Sequence, residues 1–137
     1  MSRWHLFGQD HVKRYIETDG AVGHEWEGTT ALVLTTKGRR SGNPRSTPLI
    51  YQRHGDDYLV VASRGGSDHP PAWYLNLQAD PDVEVQVLGD RFHARARTAT
   101  AAEKPELWPI MTAAWPAYDT YQRRTKREIP VVVLERV

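Results

Sequence analysis

The stretch Thr35-Thr36-Lys37-Gly38-Arg39-Arg40-Ser41-Gly42-Asn43-Pro44-Arg45 puts four cationic side chains, two glycines and a proline into one turn. No Asp or Glu occurs between Gly28 and Gly55. Cations crowded without acids repel one another until an anion joins them. Glycine lets backbone N–H groups approach such an anion, and the planar fork of arginine fits phosphate or carboxylate. These residue types suit an anion-binding turn. The alternative is a solvated basic hairpin, the usual state of a charge run.

Several other chemistries are excluded. The chain has no cysteine, so disulfides, thiolate metal sites and a cysteine nucleophile are ruled out. The six histidines lack metal-ligand spacing; His24-Glu25 opens like a zinc-protease helix, but Gly28 stands where the second histidine is needed. There is no Walker loop, no dinucleotide Gly-x-Gly-x-x-Gly and no Gly-x-Ser-x-Gly elbow around Ser63. Net charge is +1, which argues against a general nucleic-acid binder. No membrane span or signal-peptide core is legible, so the expectation is a cytoplasmic protein. What remains is a basic turn, a nearby Ser63-Arg64-Gly65-Gly66 and an aromatic-rich chain with five Trp and six Tyr. Such a site fits a flat, anionic molecule and advertises no nucleophile of its own, so a cofactor is the natural carrier of the chemistry.

Elements must hold these residues. At 137 residues the chain is expected to form one domain, residues 1–137, with an N-terminal helical segment over 1–20. Val12, Tyr15 and Ile16 predict a short amphipathic helix over Gln9–Thr18, preceded by Trp4, Leu6 and Phe7, which pack on the core or touch a membrane surface. Gly23 to Gly28 reads as a loop. Thr30–Thr36 reads as a central strand, Arg45–Arg53 as the next, and Tyr58–Ser63 as a third. As an up-down-up meander, these would bring Ser63 and Arg64 beside Arg39, Arg40 and Arg45.

Pro71 opens a helix over Ala72–Ala79 whose N-terminal dipole adds positive potential at the same end. Trp73 and Leu77 read as core anchors; Asn76 beside them is harder to explain by packing and points to a bond with a ligand or a loop. Val83–Val87 and Arg91–Thr98 form a hairpin with a basic outer face. Thr100 and Glu103 suggest a capping box before a helix to Ala114, with Pro109 expected to kink or break it. Tyr118–Thr125 is expected as a short helix with Tyr118, Tyr121 and Gln122 on one face. Ile129–Glu135 closes the sheet, with Pro130 suggesting that it begins at an edge. About six strands with flanking helices fit a mainly β, antiparallel barrel.

The ordered blocks Thr35–Arg45, Val60-Val61-Ala62-Ser63-Arg64-Gly65-Gly66, Pro71-Ala72-Trp73-Tyr74-Leu75-Asn76-Leu77 and Trp115-Pro116-Ala117-Tyr118-Asp119-Thr120-Tyr121-Gln122 together resemble the deazaflavin-dependent nitroreductases and F420H2-dependent quinone reductases. The resemblance covers roughly residues 20–137. It implies an FMN-binding-like split β-barrel and the cofactor F420, a deazaflavin that is flat at one end and polyanionic at the other. FMN on the same barrel, and a non-catalytic carrier of flavin, haem or lipid, are the alternatives.

By the family pattern, Lys37, Arg39, Arg40, Arg45 and Arg64 match positions that hold the phosphate and tail, within the loop that also contains Gly38, Ser41, Gly42, Asn43 and Pro44. Val61, Ala62, Ser63 and Gly65 belong to the stretch along the deazaflavin, and Ala72, Trp73 and Asn76 to the following helix block. Tyr118 matches a tyrosine over ring and substrate, and Tyr121 a second pocket tyrosine. The resemblance implies hydride transfer to a small quinone-like acceptor, with Ser63 or Tyr118 bonding developing charge or relaying a proton. Ile50 and Trp115 stand at the substrate end where the nitro-reducing pattern has tyrosines, so nitroimidazole reduction is not implied. A peripheral contact with the inner membrane face is compatible with this reading, and the oligomeric state is left open.

Overall fold

A computed structural model describes residues 6–137. Trp4 lies outside the described residues. The elements in order are α1 (Gly8–Glu17), β1 (Glu25–Trp26), β2 (Thr29–Lys37), β3 (Pro44–Ile50), β4 (Gln52–His54), β5 (Asp57–Val61), α2 (Ala72–Ala79), β6 (Asp82–Val87), β7 (Asp90–Thr98), α3 (Lys104–Ala114), α4 (Ala117–Arg124) and β8 (Val131–Arg136). A 3-10 turn, Arg64–Gly66, lies between β5 and α2.

The strands form one antiparallel sheet in the order β1-β2-β6-β7-β8-β5-β4, with β3 paired on β2. The described residues form eight strands rather than about six. The expected Arg45–Arg53 strand is broken at Tyr51: the part before it pairs with β2 and the part after it with β5. Tyr51 leaves the ladder because its ring turns into the core against Tyr58, with centroids 5.7 Å apart. The meander expectation therefore fails. β5 runs beside β8, and among the described residues β3 has no ladder partner on its side away from β2. The barrel is split there. Pro48, which cannot donate to a ladder, sits on this open strand as the chemistry of proline requires.

Alternation decides what faces the interior. Tyr58, Val60 and Ala62 point inward with Leu32, Leu34, Val83, Val85, Phe92, Ala94, Val132 and Leu134. Leu59, Val61, Val131 and Val133 point outward into a second core under α3 and α4, with Leu107, Met111, Tyr118 and Ile129. Because β5 and β8 are covered on both faces, their sequences read as unbroken apolar runs. β8 is central, flanked by β7 and β5; Pro130 precedes its first ladder residue, and its carbonyl accepts the Ala62 N–H at 3.0 Å. Sealing side chains such as Leu59 or Val133 from water contributes about 1.5–3 kcal/mol each.

The helices follow from local chemistry. α1 buries Val12 and Tyr15 against Val33 of β2. Ahead of α3, the Thr100 hydroxyl accepts the Glu103 N–H at 3.2 Å while Glu103 Oε1 accepts the Thr100 N–H at 2.9 Å, the reciprocal capping box. Pro109 does not break α3, which continues to Ala114. The β6–β7 hairpin keeps Phe92, Ala94 and Ala96 inside. On its outer face Arg95 lies 3.9 Å from the cross-strand Asp82, and His93 lies 3.8 Å from the cross-strand Glu84.

Candidate active site

The basic turn closes the β2–β3 hairpin. The Gly38 N–H donates to the Asn43 carbonyl at 2.8 Å, and the Gly42 N–H to the Gly38 carbonyl at 2.8 Å. A side chain at Gly38 would meet Ser41 Oγ at 2.8 Å and the Asn43 carbonyl at 3.0 Å, so the closely wound turn favours glycine there. The turn is fastened to α2 by one buried amide. Asn76 Oδ1 accepts the Arg39 backbone N–H at 3.2 Å and the Arg39 guanidinium at 2.9 Å, and Asn76 Nδ2 donates to the Thr36 hydroxyl at 3.2 Å. Among the described residues, no carboxylate pairs with Arg39, Arg40, Arg45 or Arg64.

Two clefts open beside this turn along the unpaired edge of β3. The first, about 490 Å³, is lined by Gly38, Arg39, Arg40, Ser41 and Arg45 of the turn, by Ala72, Trp73 and Asn76 of α2, and by Gln9, Ser46 and Thr47. The first turn of α2 adds the backbone N–H groups of Ala72 and Trp73, whereas those of Tyr74 and Leu75 donate to the Pro71 carbonyl. The second cleft, about 380 Å³, takes Ile50 from β3 and Val61, Ser63, Arg64 and Gly65 from the end of β5. Trp115, Tyr118 and Tyr121 from the α3–α4 region complete it. Thr47 and Trp73 line both, so the two basins adjoin. Both volumes fall in the range of small-molecule sites, roughly 300–1,000 Å³.

The strand-end residues are held in an unusual conformation. Arg64 has φ +46° and Gly65 φ +63°, both left-handed, a sparsely populated region for a residue with a side chain. Arg127 fixes them: its Nε donates to the Ser67 carbonyl at 2.7 Å, and its Nη2 to the carbonyls of Ser63 at 2.9 Å and Ala62 at 3.2 Å. Ser63 is right-handed, so the Ser63-Arg64 pair forms a concave backbone nest suited to an anion or a carbonyl oxygen. Gly66 lies directly against α4, where an added side chain would meet the Tyr121 carbonyl at 2.7 Å.

Ser63 and Tyr118 are 8% and 5% exposed, and among the described residues neither hydroxyl has a protein partner, yet no side-chain polar atom is sealed without one. Both hydroxyls therefore open onto the second cleft. Burial, with a smaller contribution from Tyr121, pushes the Tyr118 phenol well above the ordinary tyrosine value. Its proton is retained across the neutral range, which makes it a hydrogen-bond donor.

Not every residue expected at the site reaches these clefts. Ala62 is fully buried inside the barrel, because strand alternation turns it away from Val61. Lys37 and Pro44 are cross-strand partners, as are Thr36 and Arg45. Partners share a face, so Lys37 and Pro44, with Gly42, line a separate cleft on the other flank near Asp80, Asp82 and Glu84. Asn43 serves the turn through its backbone. Ser63 and Arg64 lie in the second basin, not among the arginines of the first, because the barrel is open between β3 and β5. Residues that the sequence did not single out also line the site: Gln9, whose amide donates to the Ser46 carbonyl at 2.9 Å, and Thr47, Trp26 and His11. For Trp26 the one legible signal was the aromatic richness of the chain.

The donor set fits a flat molecule with an anionic tail: arginines without a carboxylate partner among the described residues and the first N–H groups of α2 in one basin, and a nest with aromatic rings in the next. Known proteins agree. The chain is 43% identical over 130 residues to the F420H(2)-dependent quinone reductase Rv1261c of Mycobacterium tuberculosis, covering 92% of this chain and 87% of that one. It superposes on a solved F420-H2 dependent reductase, FDR-A, with a TM-score of 0.71 at 36% identity, covering 77% of this chain and 93% of that one. A solved protein described as a domain-swapped dimer gives a TM-score of 0.75 at 33% identity, covering 93% and 96%. The fold is the split β-barrel. The model of the F420H(2)-dependent quinone reductase family matches residues 7–136, and with these relatives it establishes that the chain belongs to that family.

Proposed function

We propose that the protein is an F420H2-dependent oxidoreductase, acting as one unit, that reduces a quinone-like acceptor. The observation that carries this reading is the junction of a cationic basin and an aromatic basin across Thr47 and Trp73. One end attracts a charged tail and the other accepts planar rings. When bound, reduced F420 supplies a hydride; the chain's own groups bind, orient and hydrogen-bond.

Arg39, Arg40, Arg45 and the N–H groups at the start of α2 hold the phosphate and the acidic tail. Asn76 keeps Arg39 in place. The backbone at Ser63–Gly65 and the ring of Trp73 receive the deazaflavin. Ile50, Trp115, Tyr118 and Tyr121 surround the acceptor and keep water from it. Holding donor and acceptor face to face replaces a bimolecular encounter with an aligned pair. As the acceptor gains charge at oxygen, the protonated Tyr118 phenol and the Ser63 hydroxyl are the side-chain donors placed to meet it.

The test is direct. Purified protein, reduced F420 and a panel of quinones are mixed, and cofactor oxidation is followed optically. Turnover that saturates in both reactants is expected; absence of F420 binding by fluorescence titration overturns the reading.

A further inference from the structure

Among the described residues, the second cleft is closed by a column of aromatic rings drawn from three distant parts of the chain. Trp26 stands between His11 of α1 and Trp115 at the α3–α4 junction. It stacks on His11 at 6.0 Å with an interplanar angle of 27°, and on Trp115 at 5.8 Å with an angle of 30°. Phe7 meets the edge of Trp26 at 6.0 Å and is 61% exposed.

Trp26 is supplied by the two-residue strand β1. The tight hairpin that follows it has Glu27 at φ +50° and Gly28 at φ +80°, the positive pair that a two-residue hairpin turn requires. The indole N–H donates to the Leu6 carbonyl at 2.9 Å, which ties down the segment before α1. Trp26 belongs to none of the buried core clusters and is only half-buried, so core packing does not account for it. It lines the cleft instead.

Resting on the reading of the previous subsection, we infer that Trp26 is a specificity-determining residue for the acceptor. Trp26 and Trp115 together form one wall of the acceptor site. Because the two indoles stack on one another with centres 5.8 Å apart, they offer the cleft a row of ring edges longer than a single six-membered ring. Flat conjugated molecules favour edge-to-face contact with such a row. A one-ring acceptor is served by Trp115, Tyr118 and Tyr121 alone, whereas a fused-ring acceptor extends onto Trp26. The N-terminal hairpin thus sets the acceptor size that the enzyme favours without touching the cationic basin.

The test compares wild type with Trp26→Ala and Trp26→Phe, using 1,4-naphthoquinone and 1,4-benzoquinone. Because the chain has no cysteine, quinone adducts on thiols do not confuse the measurement. For Trp26→Ala, KM for naphthoquinone is expected to rise at least tenfold, with KM for benzoquinone changed less than threefold and F420 affinity unchanged. Equilibrium dialysis of each quinone against cofactor-free protein should show the same selective loss. Trp26→Phe, which keeps a ring but lacks the N–H to Leu6, should recover most of the naphthoquinone binding. Should Trp26→Ala not fold, Trp26→Leu, with apolar bulk but no aromatic edge, carries the same expectation. Equal effects on both quinones, or weakened F420 binding, overturn the inference while leaving the assigned reaction standing. A wild-type protein that binds naphthoquinone but oxidises no reduced F420 defeats the assigned reaction, and Trp26 as an acceptor residue with it.

Discussion

Asn76 Oδ1 accepts two donors from the same residue, the backbone N–H of Arg39 at 3.2 Å and its guanidinium at 2.9 Å. The amide is 4% exposed, while Arg39 is solvent-exposed. A rigid helix thereby fixes both the path of the basic turn and the direction of one of its cations. Without Asn76 the turn would be tied to α2 by none of these bonds, and Arg39 would relax away from Arg40 and Arg45. Asn76→Ala is therefore expected to lower unfolding stability by about 1–3 kcal/mol, the cost of leaving buried hydrogen-bonding groups unmatched. It should also weaken F420 binding about tenfold. Denaturant unfolding and fluorescence titration read the two effects separately; an Asn76→Ala protein that keeps full affinity would show that the turn needs no anchor.

Arg45 makes a cleaner test of the anion basin. It is exposed, lines the first cleft and has no acidic partner among the described residues. Removing it deletes no packing, so Arg45→Ala should change stability by no more than about 0.5 kcal/mol. A charge-assisted hydrogen bond is worth about 1.5–3 kcal/mol, so cofactor affinity should fall about ten- to a hundredfold, and the salt dependence of binding should become shallower. Unaltered affinity at low salt would remove Arg45 from the site.

Gly66 controls the second basin from outside. At φ +84°, with a would-be side chain 2.7 Å from the Tyr121 carbonyl and 3.0 Å from Tyr121 Cα, it lets the 3-10 turn touch the backbone of α4. Arg124, donating to the Gly65 carbonyl at 3.3 Å, and Thr125, donating to Asp68 at 2.7 Å, close the same seam. In Gly66→Ala, the left-handed conformation and the clash together should cost about 1–3 kcal/mol or more. The displaced α4 carries Tyr118 and Tyr121, so KM for the acceptor should rise by more than the F420 affinity falls. A variant with a lower melting temperature but an unchanged acceptor KM would mean that this contact is structural alone.

These sites also mark where the sequence was legible. The Ala72–Ala79 helix was readable to its end residues, because Pro71 and Asp80-Pro81 punctuate it. The capping box and the hairpin β6–β7 followed from spacing as well. Asn76 stood out in the sequence as a polar residue on an apolar helix face, and it proved to bond the basic turn. The break at Tyr51 was not readable: no glycine or proline marks it, and the cause is the burial of one ring against Tyr58 across the barrel. Strand order was equally hidden, since Pro130 signalled an edge while the strand after it is central. Gln9, His11 and Trp26 join Thr47 and Trp115 only through the packing of segments far apart in sequence.

Tyr118 connects electrostatics to rate. Its hydroxyl opens on the second cleft, and burial, chiefly, raises its pKa above the ordinary value of 10.0. The sign is unambiguous: the folded protein holds this proton where an unfolded chain would release it. Tyr118 therefore remains a donor throughout the neutral and mildly alkaline range, and its stabilising contribution is lost only as pH rises beyond the unfolded value toward the raised one. If the phenol meets charge developing on the acceptor, Tyr118→Phe should reduce kcat about ten- to a hundredfold, near the lower end of what a lost oxyanion donor costs. KM for F420 should stay within about twofold, since hydrogen bonding at the acceptor oxygen lies apart from the arginines of the first cleft. The wild-type rate should also show no tyrosine-like decline below pH 10. A decline there that Tyr118→Phe abolishes would mean that the phenol ionises in the working range, and that it acts as an acceptor of protons instead.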